Sequence, residues 1–153
     1  MEDSKKEMLV AAIENGTVID HIASDKLFEV VSILNLAESK SEITIGNNLK
    51  SDKQGAKGII KIADTYFASD EIDKIALVAP NAVLNIIKNY QVVEKRKIEI
   101  PDHIVDIIRC VNPKCITNHE PMQTRFDVID KQKMIVKCHY CESVMEQNQI
   151  KIK

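Results

Sequence analysis

Four cysteines, all in the last third of the chain, constrain it more than any other feature. Cys110 and Cys115 have four residues between them, and after about twenty more residues comes Cys138-His-Tyr-Cys141. Two short-spaced pairs joined by a polar, strand-like interval suit a tetrahedral thiolate site. Each pair forms a knuckle offering two sulfurs, and the segment between them folds back to join them. A site filled by Cys110, Cys115, Cys138 and Cys141 is coordinatively closed, leaving no position at which a water could be activated, so the expected ion is one structural Zn2+. Two disulfides or redox-active thiols are the alternatives. Disulfides are set back because Met1-Glu-Asp-Ser-Lys-Lys-Glu7 is too acidic and too poor in apolar residues for a secretory leader. His119 and His139 lie close by. His139 falls between two sulfurs already suitably spaced, and both read as solvated loop histidines. With Phe126 as its one phenylalanine, this segment buries little apolar surface, so metal binding would supply its folding free energy.

The rest of the composition is that of an ordinary globular protein, with 153 residues, 44% hydrophobic and 29% charged. The formal charge of −2 divides into 13 basic against 16 acidic residues before Pro101 and 8 against 7 from there on. Neither part has the basic excess by which nucleic-acid binders displace counterions. No apolar run approaches membrane-spanning length, and the chain reads as cytoplasmic, with neither nucleic acid nor membrane as partner.

Hydrophobic periodicity predicts an α+β protein. Met8–Ile13 and Thr17–Ile22 flank Asn15-Gly16, a hairpin-turn signal because both residues tolerate positive φ. Ser24 is placed to cap a helix whose apolar face is Leu27, Phe28, Val30, Val31, Leu34 and Leu36. A short strand at Ile43–Gly46, a charged loop from Asn47 to Lys57 and a strand at Gly58–Ala63 follow. Ser69-Asp-Glu71 opens a second helix, buried along Ile72, Ile75, Ala76 and Ala79 and stopped by Pro80. Ala82–Val93 then alternates as one extended strand or two joined ones. Strand, helix, strand, strand, helix, strand is the βαββαβ order of ferredoxin-like domains, a sheet covered on one face by two helices.

The charged run from Glu94 and the extended approach to Pro101 mark a joint, with one domain over residues 1–97 and another over 98–153. Ile104–Cys110, Arg125–Ile129, Lys133–Cys138 and Ser143–Ile152 are strand candidates around the knuckles, forming a small antiparallel β domain with zinc at one end.

No Gly-rich phosphate loop, nucleophile elbow or catalytic carboxylate pair occurs. What stands out is polar residues set into apolar strands: Asp20 and His21, Lys61 between isoleucines, Asn85 between Leu84 and Ile86, and Lys95. If these strands are sheet neighbours, the polar groups meet on the uncovered face. Beside Val18, Ile87 and Tyr90 they would make a pocket for a nucleoside triphosphate, with the lysines as point charges for phosphate and Asp20 for a ribose hydroxyl or a magnesium water. The plainer readings are solvated alternation for Lys61, Asn85 and Lys95, a local hydrogen-bonded pair for Asp20 and His21, and sheet packing for Tyr90. A zinc-ribbon nucleic-acid module and a small metalloenzyme are the other function classes; the near-neutral C-terminal part and the fourth cysteine argue against them.

Gly16-Thr-Val-Ile-Asp-His-Ile22, Ile43-Thr-Ile-Gly46, Ile60-Lys-Ile62, Ala79-Pro80, Asn89-Tyr90 followed by Val92-Val93, and Cys138-x-Tyr-Cys-Glu142 closely resemble the regulatory chains of bacterial and archaeal aspartate carbamoyltransferase over nearly the full length. The resemblance implies a noncatalytic chain with an N-terminal allosteric domain for ATP and CTP, with UTP and Mg2+ as further candidates, and a C-terminal zinc domain that grips the catalytic chain. It carries effector contacts onto Val10, Ala12, Ile13, Val18, Asp20, His21, Lys61, Asn85, Ile87, Tyr90, Val92 and Lys95, and partner contacts onto Asn112, Tyr140 and Glu142. It further implies self-dimers through the allosteric domain, three of which bridge two catalytic trimers in pyrimidine synthesis. The chain departs from the familiar pattern at Glu7, Met8 and Ala11 and, in the first knuckle, at Val111, Pro113 and Lys114.

Overall fold

A computed structural model describes residues 12–51 and 55–153. The chain divides into two compact units, Met1–Glu99 and Ile100–Lys153. In the first, the described elements are β1 (Gly16–Ala23), α1 (Leu27–Ile33), β2 (Ile43–Ser51), β3 (Gly55–Ala63), α2 (Ser69–Val78), β4 (Val83–Lys88) and β5 (Gln91–Lys97). The five strands form one antiparallel sheet in the order β2-β3-β1-β4-β5. The first four are the ferredoxin-like arrangement, and β5 is added as a hairpin on β4.

Pairing across the sheet sets which side chains share a face, because directly opposed residues point the same way and neighbours along a strand point apart. One row runs Ile45, Ile60, Ile19, Leu84, and the next Ile43, Ile62, Thr17, Ile86. Ile19, Ile60, Ile62 and Leu84 are buried, and so are Leu27 and Val30 of α1 and Leu34 just beyond its end. Gly58 on this face shows the contact directly. A Cβ there would stand 2.7 Å from Leu27 Cδ1, so α1 lies on β3 where the strand carries no side chain. Beside α1 sits α2, burying Ile75 and Ala76.

Several expectations need correction. Most of the segment from Asn47 to Lys57 is strand where a loop is expected: β2 continues to Ser51 and β3 begins at Gly55, with a register shift between Gly46 and Leu49 where Asn48 adopts φ 58°. That bulge lets a polar, charge-bearing stretch remain paired at the sheet edge. Ser24 caps nothing; it begins a short 3-10 turn ahead of α1, and its buried hydroxyl has no partner among the described residues. Phe28 turns outward and is 68% exposed. The expected hairpin across Asn15-Gly16 has most of its first arm, Met8–Ile13, outside the described residues, and both edges of β1 are occupied by β3 and β4. Gly16 itself is required. At φ +140°, a Cβ would lie 2.1 Å from the Ile62 carbonyl oxygen. The charged residues Glu94–Lys97 belong to β5, and Ile98 is buried with its N–H donated to the Ala82 carbonyl at 3.1 Å.

The second unit is built from short strands: β6 (His103–Val105), β7 (Ile108–Arg109), β8 (Arg125–Asp130), β9 (Ile135–Cys138), β10 (Val144–Met145) and β11 (Lys151–Ile152). A four-stranded sheet runs β10-β9-β8-β6, and β11 pairs with β7. Ile104–Cys110 is two strands and not one, because Asp106 at φ 57° breaks it; Ser143–Ile152 is likewise divided by a 3-10 turn at Gln147–Gln149. Phe126, Ile104, Ile108 and Met145 are its fully buried large side chains. The Thr124 hydroxyl, donating to the Ile108 carbonyl at 2.6 Å, ties β7 to the approach of β8.

Candidate metal centre and effector face

The four cysteines converge. Cys110 follows β7 and Cys138 ends β9, while Cys115 and Cys141 close the two knuckles. In the second knuckle the Glu142 N–H donates to the Cys138 carbonyl at 3.0 Å with Glu142 at φ 63°, a tight turn that brings two sulfurs to one side. The wider first knuckle is braced from outside. Asn118 Nδ2 donates to the carbonyls of Cys110 at 3.0 Å and Asn112 at 2.7 Å, and His119 Nε2 meets the Pro113 carbonyl at 2.8 Å. His119 is therefore a loop clamp and not merely solvated. Among the described residues, neither histidine joins the sulfur cluster.

All four sulfurs lie within 4.8 Å of one another. Two pairs cross between knuckles, Cys110 to Cys141 at 3.6 Å and Cys115 to Cys138 at 3.8 Å. These are far beyond a disulfide bond of about 2.05 Å. They match the edge, about 3.8 Å, of a tetrahedron whose metal–sulfur bonds are about 2.3 Å. The residues present thus fit a four-thiolate structural metal site. Burial pushes the Cys110 and Cys138 thiols up, against backbone N–H donors from Asn112 and from Cys141 and Tyr140. Burial also opposes the Cys141 thiolate, but hydrogen bonds with the Ser143 hydroxyl and N–H, the Asn112 side chain and the Cys110 thiol bring it down to about 6.

On the sheet face opposite the helices, Thr44, Lys61, Val18, Asn85 and Lys95 are paired in succession, one from each strand. Lys61 is only 3% exposed and Asn85 is buried, whereas Lys95 is exposed. Val18, Ile59 and Ile87 form an apolar cluster here, with Ile13 and Leu49 packed against it, and Val92 pairs with Ile87. Asp20 and His21 form a bulge in β1, with His21 at φ 57°, so that Ile19 and Ile22 both keep to the helix-covered face. Asp20 Oδ1 accepts the His21 N–H at 2.7 Å and lies 2.9 Å from Lys57 Nζ. Asp20 and Lys57 are 8% and 7% exposed, so this is a buried ion pair. Sequence reasoning missed Lys57 and Thr44. A lone acid in an apolar strand signals the need for a cation, but nothing in the sequence says which lysine answers.

Tyr90 stands at the β4–β5 turn, 67% exposed. Asn89 and Tyr90 have φ 52° and 65°, a two-residue turn with both residues left-handed, whose twist suits a hairpin. Neighbouring backbone holds it: the Tyr90 N–H donates to the Glu14 carbonyl at 2.9 Å, and the Asn89 N–H to Asn15 Oδ1 at 3.2 Å. Ala12 is exposed, no described contact draws it to the row, and Val10 lies outside the described residues. In the second unit, Asn112 Oδ1 accepts the Lys114 N–H at 3.0 Å, Tyr140 is exposed with its ring edge-on to His139 at 5.2 Å, and Glu142 is exposed.

Comparison with known proteins matches both parts of the chain to one family. Residues 8–99 match the family model for the allosteric domain of the aspartate carbamoyltransferase regulatory chain, and residues 102–151 the model for its metal binding domain. Aspartate carbamoyltransferase regulatory chains of Parabacteroides distasonis and Phocaeicola vulgatus are 55% and 56% identical to it, over 99% of this chain and 98% of each relative. That of the archaeon Thermococcus sibiricus is 52% identical over 95% of this chain and 96% of its own length. No helix among the described residues is long and apolar enough to cross a membrane. With its allosteric and metal-binding portions in the order of its relatives, the chain belongs to the family of aspartate carbamoyltransferase regulatory chains and is a regulatory, not a catalytic, subunit.

Proposed function

We propose that the helix-free face of the N-terminal sheet binds ATP and CTP, and that the C-terminal unit, held by one zinc ion, docks on the catalytic chain of aspartate carbamoyltransferase. The observation that carries the reading is the row Lys61, Val18, Asn85 and Lys95, which sets cations, an amide and apolar surface side by side. Ammonium groups on long stems neutralise phosphates as point charges, and the amide and strand backbone can read a base laid on Val18 and Ile87. His21, Ile13, Tyr90 and Val92 border this surface. Asp20 already holds Lys57, so its part is to fix that lysine and the β1 bulge beneath the nucleotide. Four thiolates favour zinc among common divalent ions and leave it no reactive position. Domain roles follow as nucleotide sensing by residues 1–97 and partner binding by 98–153, with Asn112, Tyr140 and Glu142 on the docking surface. Regulatory dimers formed through the sensing domain would join catalytic trimers in the cytoplasm.

Regulation is then a coupling free energy of about 1–3 kcal/mol between nucleotide and catalytic sites, and a nucleotide biases the assembly only by binding its two states unequally. Isothermal titration of ATP and CTP into the complex tests the site. A Lys61→Ala, Lys95→Ala variant is expected to lose most of its affinity for both nucleotides, and unchanged affinity would remove these lysines from the account.

A further inference from the structure

Two hydroxyls touch the sulfur cluster. Thr117 Oγ1 lies 3.1 Å from Cys115 Sγ with either atom able to donate, and Ser143 Oγ accepts from the Cys141 thiol at 3.2 Å while that sulfur carries its proton. Each follows its cysteine by two residues, so the turn that closes a knuckle also folds the hydroxyl back onto the sulfur. The two are distributed over the cluster. Each close cross-knuckle pair, Cys110 with Cys141 and Cys115 with Cys138, contains one hydroxyl-bearing sulfur. By contrast, the donors outside the cysteine cluster that reach Cys110 and Cys138 are backbone N–H groups. Thr117 and Ser143 are both half-buried, which shields the contacts from competing water.

A metal-bound thiolate has no proton, so in the loaded site the hydroxyl must be the donor and the sulfur the acceptor. Four thiolates bring more negative charge than a divalent ion cancels, and the site is largely buried. An O–H dipole aimed at a sulfur offsets part of that excess and fixes the direction from which the sulfur meets the ion. We propose that the Thr117 and Ser143 hydroxyls are positioning groups for the metal, donating to the bound sulfurs of Cys115 and Cys141 and setting how tightly the ion is held and how fast it leaves. Ser143 governs release more than Thr117, because Cys141 is the one ligand of the four that is only part-buried. This rests on the zinc reading of the four cysteines and adds to it the residues that tune them.

The test uses the full chain and zinc itself. Zinc affinity is measured by competition with a chromophoric chelator at fixed pH, and release is followed after adding excess chelator. Outer partners of metal ligands typically contribute 10- to 100-fold in affinity. Ser143→Ala and Thr117→Val are each expected to weaken zinc binding about 10-fold. Ser143→Ala should speed release more, and the conservative Ser143→Thr and Thr117→Ser should restore binding. In cobalt-loaded protein the sulfur-to-metal charge-transfer bands should shift in the two variants that lack the hydroxyl and return in the two that keep it, a change that a merely structural role would not produce. Wild-type affinity, release and spectra in both hydroxyl-deleted variants would overturn the inference while leaving the zinc reading intact. Failure of the unaltered chain to take up zinc would overturn both.

Discussion

The two units hold themselves together by different means. In the N-terminal unit, side chains from three strands and both helices, Ile19, Ile60, Leu84, Leu27 and Ile75 among them, are buried to 2% exposure or less. Each such side chain contributes about 1.5–3 kcal/mol. The C-terminal unit has strands of two to six residues and four large side chains buried to that degree. What it has in addition is the sulfur cluster, placed where β7, β9 and the two knuckles meet. The difference implies that apolar burial can sustain a long-stranded sheet, whereas a small unit of short strands is where a bound ion would have most to add by fixing loops.

The strongest way to break this comparison is to remove the ion. Thiolate zinc sites in small domains supply about 10–16 kcal/mol of apparent folding free energy. Adding a chelator to the full chain is expected to collapse the amide NMR dispersion of the C-terminal unit while the N-terminal signals persist. Retained dispersion in both would mean that the second unit has a sufficient core of its own.

Next in size is the buried ion pair. Asp20→Ala leaves the Lys57 ammonium buried without its carboxylate, a loss of about 3–5 kcal/mol by urea unfolding. Asp20→Ala combined with Lys57→Met should recover most of it; if it does not, the carboxylate's bond to the His21 N–H is the larger contribution. Ile60→Ala, at the centre of the helix-covered face, should cost about 2–5 kcal/mol by the same measurement. A loss below 1 kcal/mol would show that the sheet does not rely on this layer in the way its burial implies.

The smallest effect is expected at the surface of the C-terminal unit. The Lys131 hydrogen bond and charge hold the Asp102 carboxyl below the usual carboxylate range. A carboxyl lowered in this way adds stability above its unfolded value and loses it as pH falls through the folded one. Asp102 is fully exposed, so Asp102→Asn should leave the neutral-pH Tm unchanged. A clear drop in Tm would mean that surface charge shares the work assigned to the metal.

Much of this arrangement was legible in the residues. Period-two and period-three-to-four patterns located the strands and helices of the N-terminal unit, and cysteine spacing located the sulfur cluster, because in both cases the signal is local. The failures are equally physical. Asn47 to Lys57 reads as a loop by composition, yet Leu49–Ser51 pair with Gly55–Lys57, beside a bulge at Asn48 that no local pattern announces. Phe28 fits an apolar helical stripe, but α1 begins only at Leu27 and turns Phe28 to solvent. Lys57 sits between Ala56 and Gly58 with nothing local to mark it, and its tie to Asp20, distant in sequence, exists only after β1 and β3 pair. The row on the helix-free face was legible as separate polar interruptions, but their alignment depends on strand register.

The added strand β5 has a consequence for the chain outside any assembly. Among the described residues it ends the sheet, and every one of its residues is exposed, including Val92 and Val93. An open sheet edge of this length invites another extended chain to zip onto it. Glu94, Lys95, Arg96 and Lys97 occupy its second half, so a would-be fibril must strip water from four successive charges to grow there. Those four charges oppose edge-to-edge growth of the free subunit along this border.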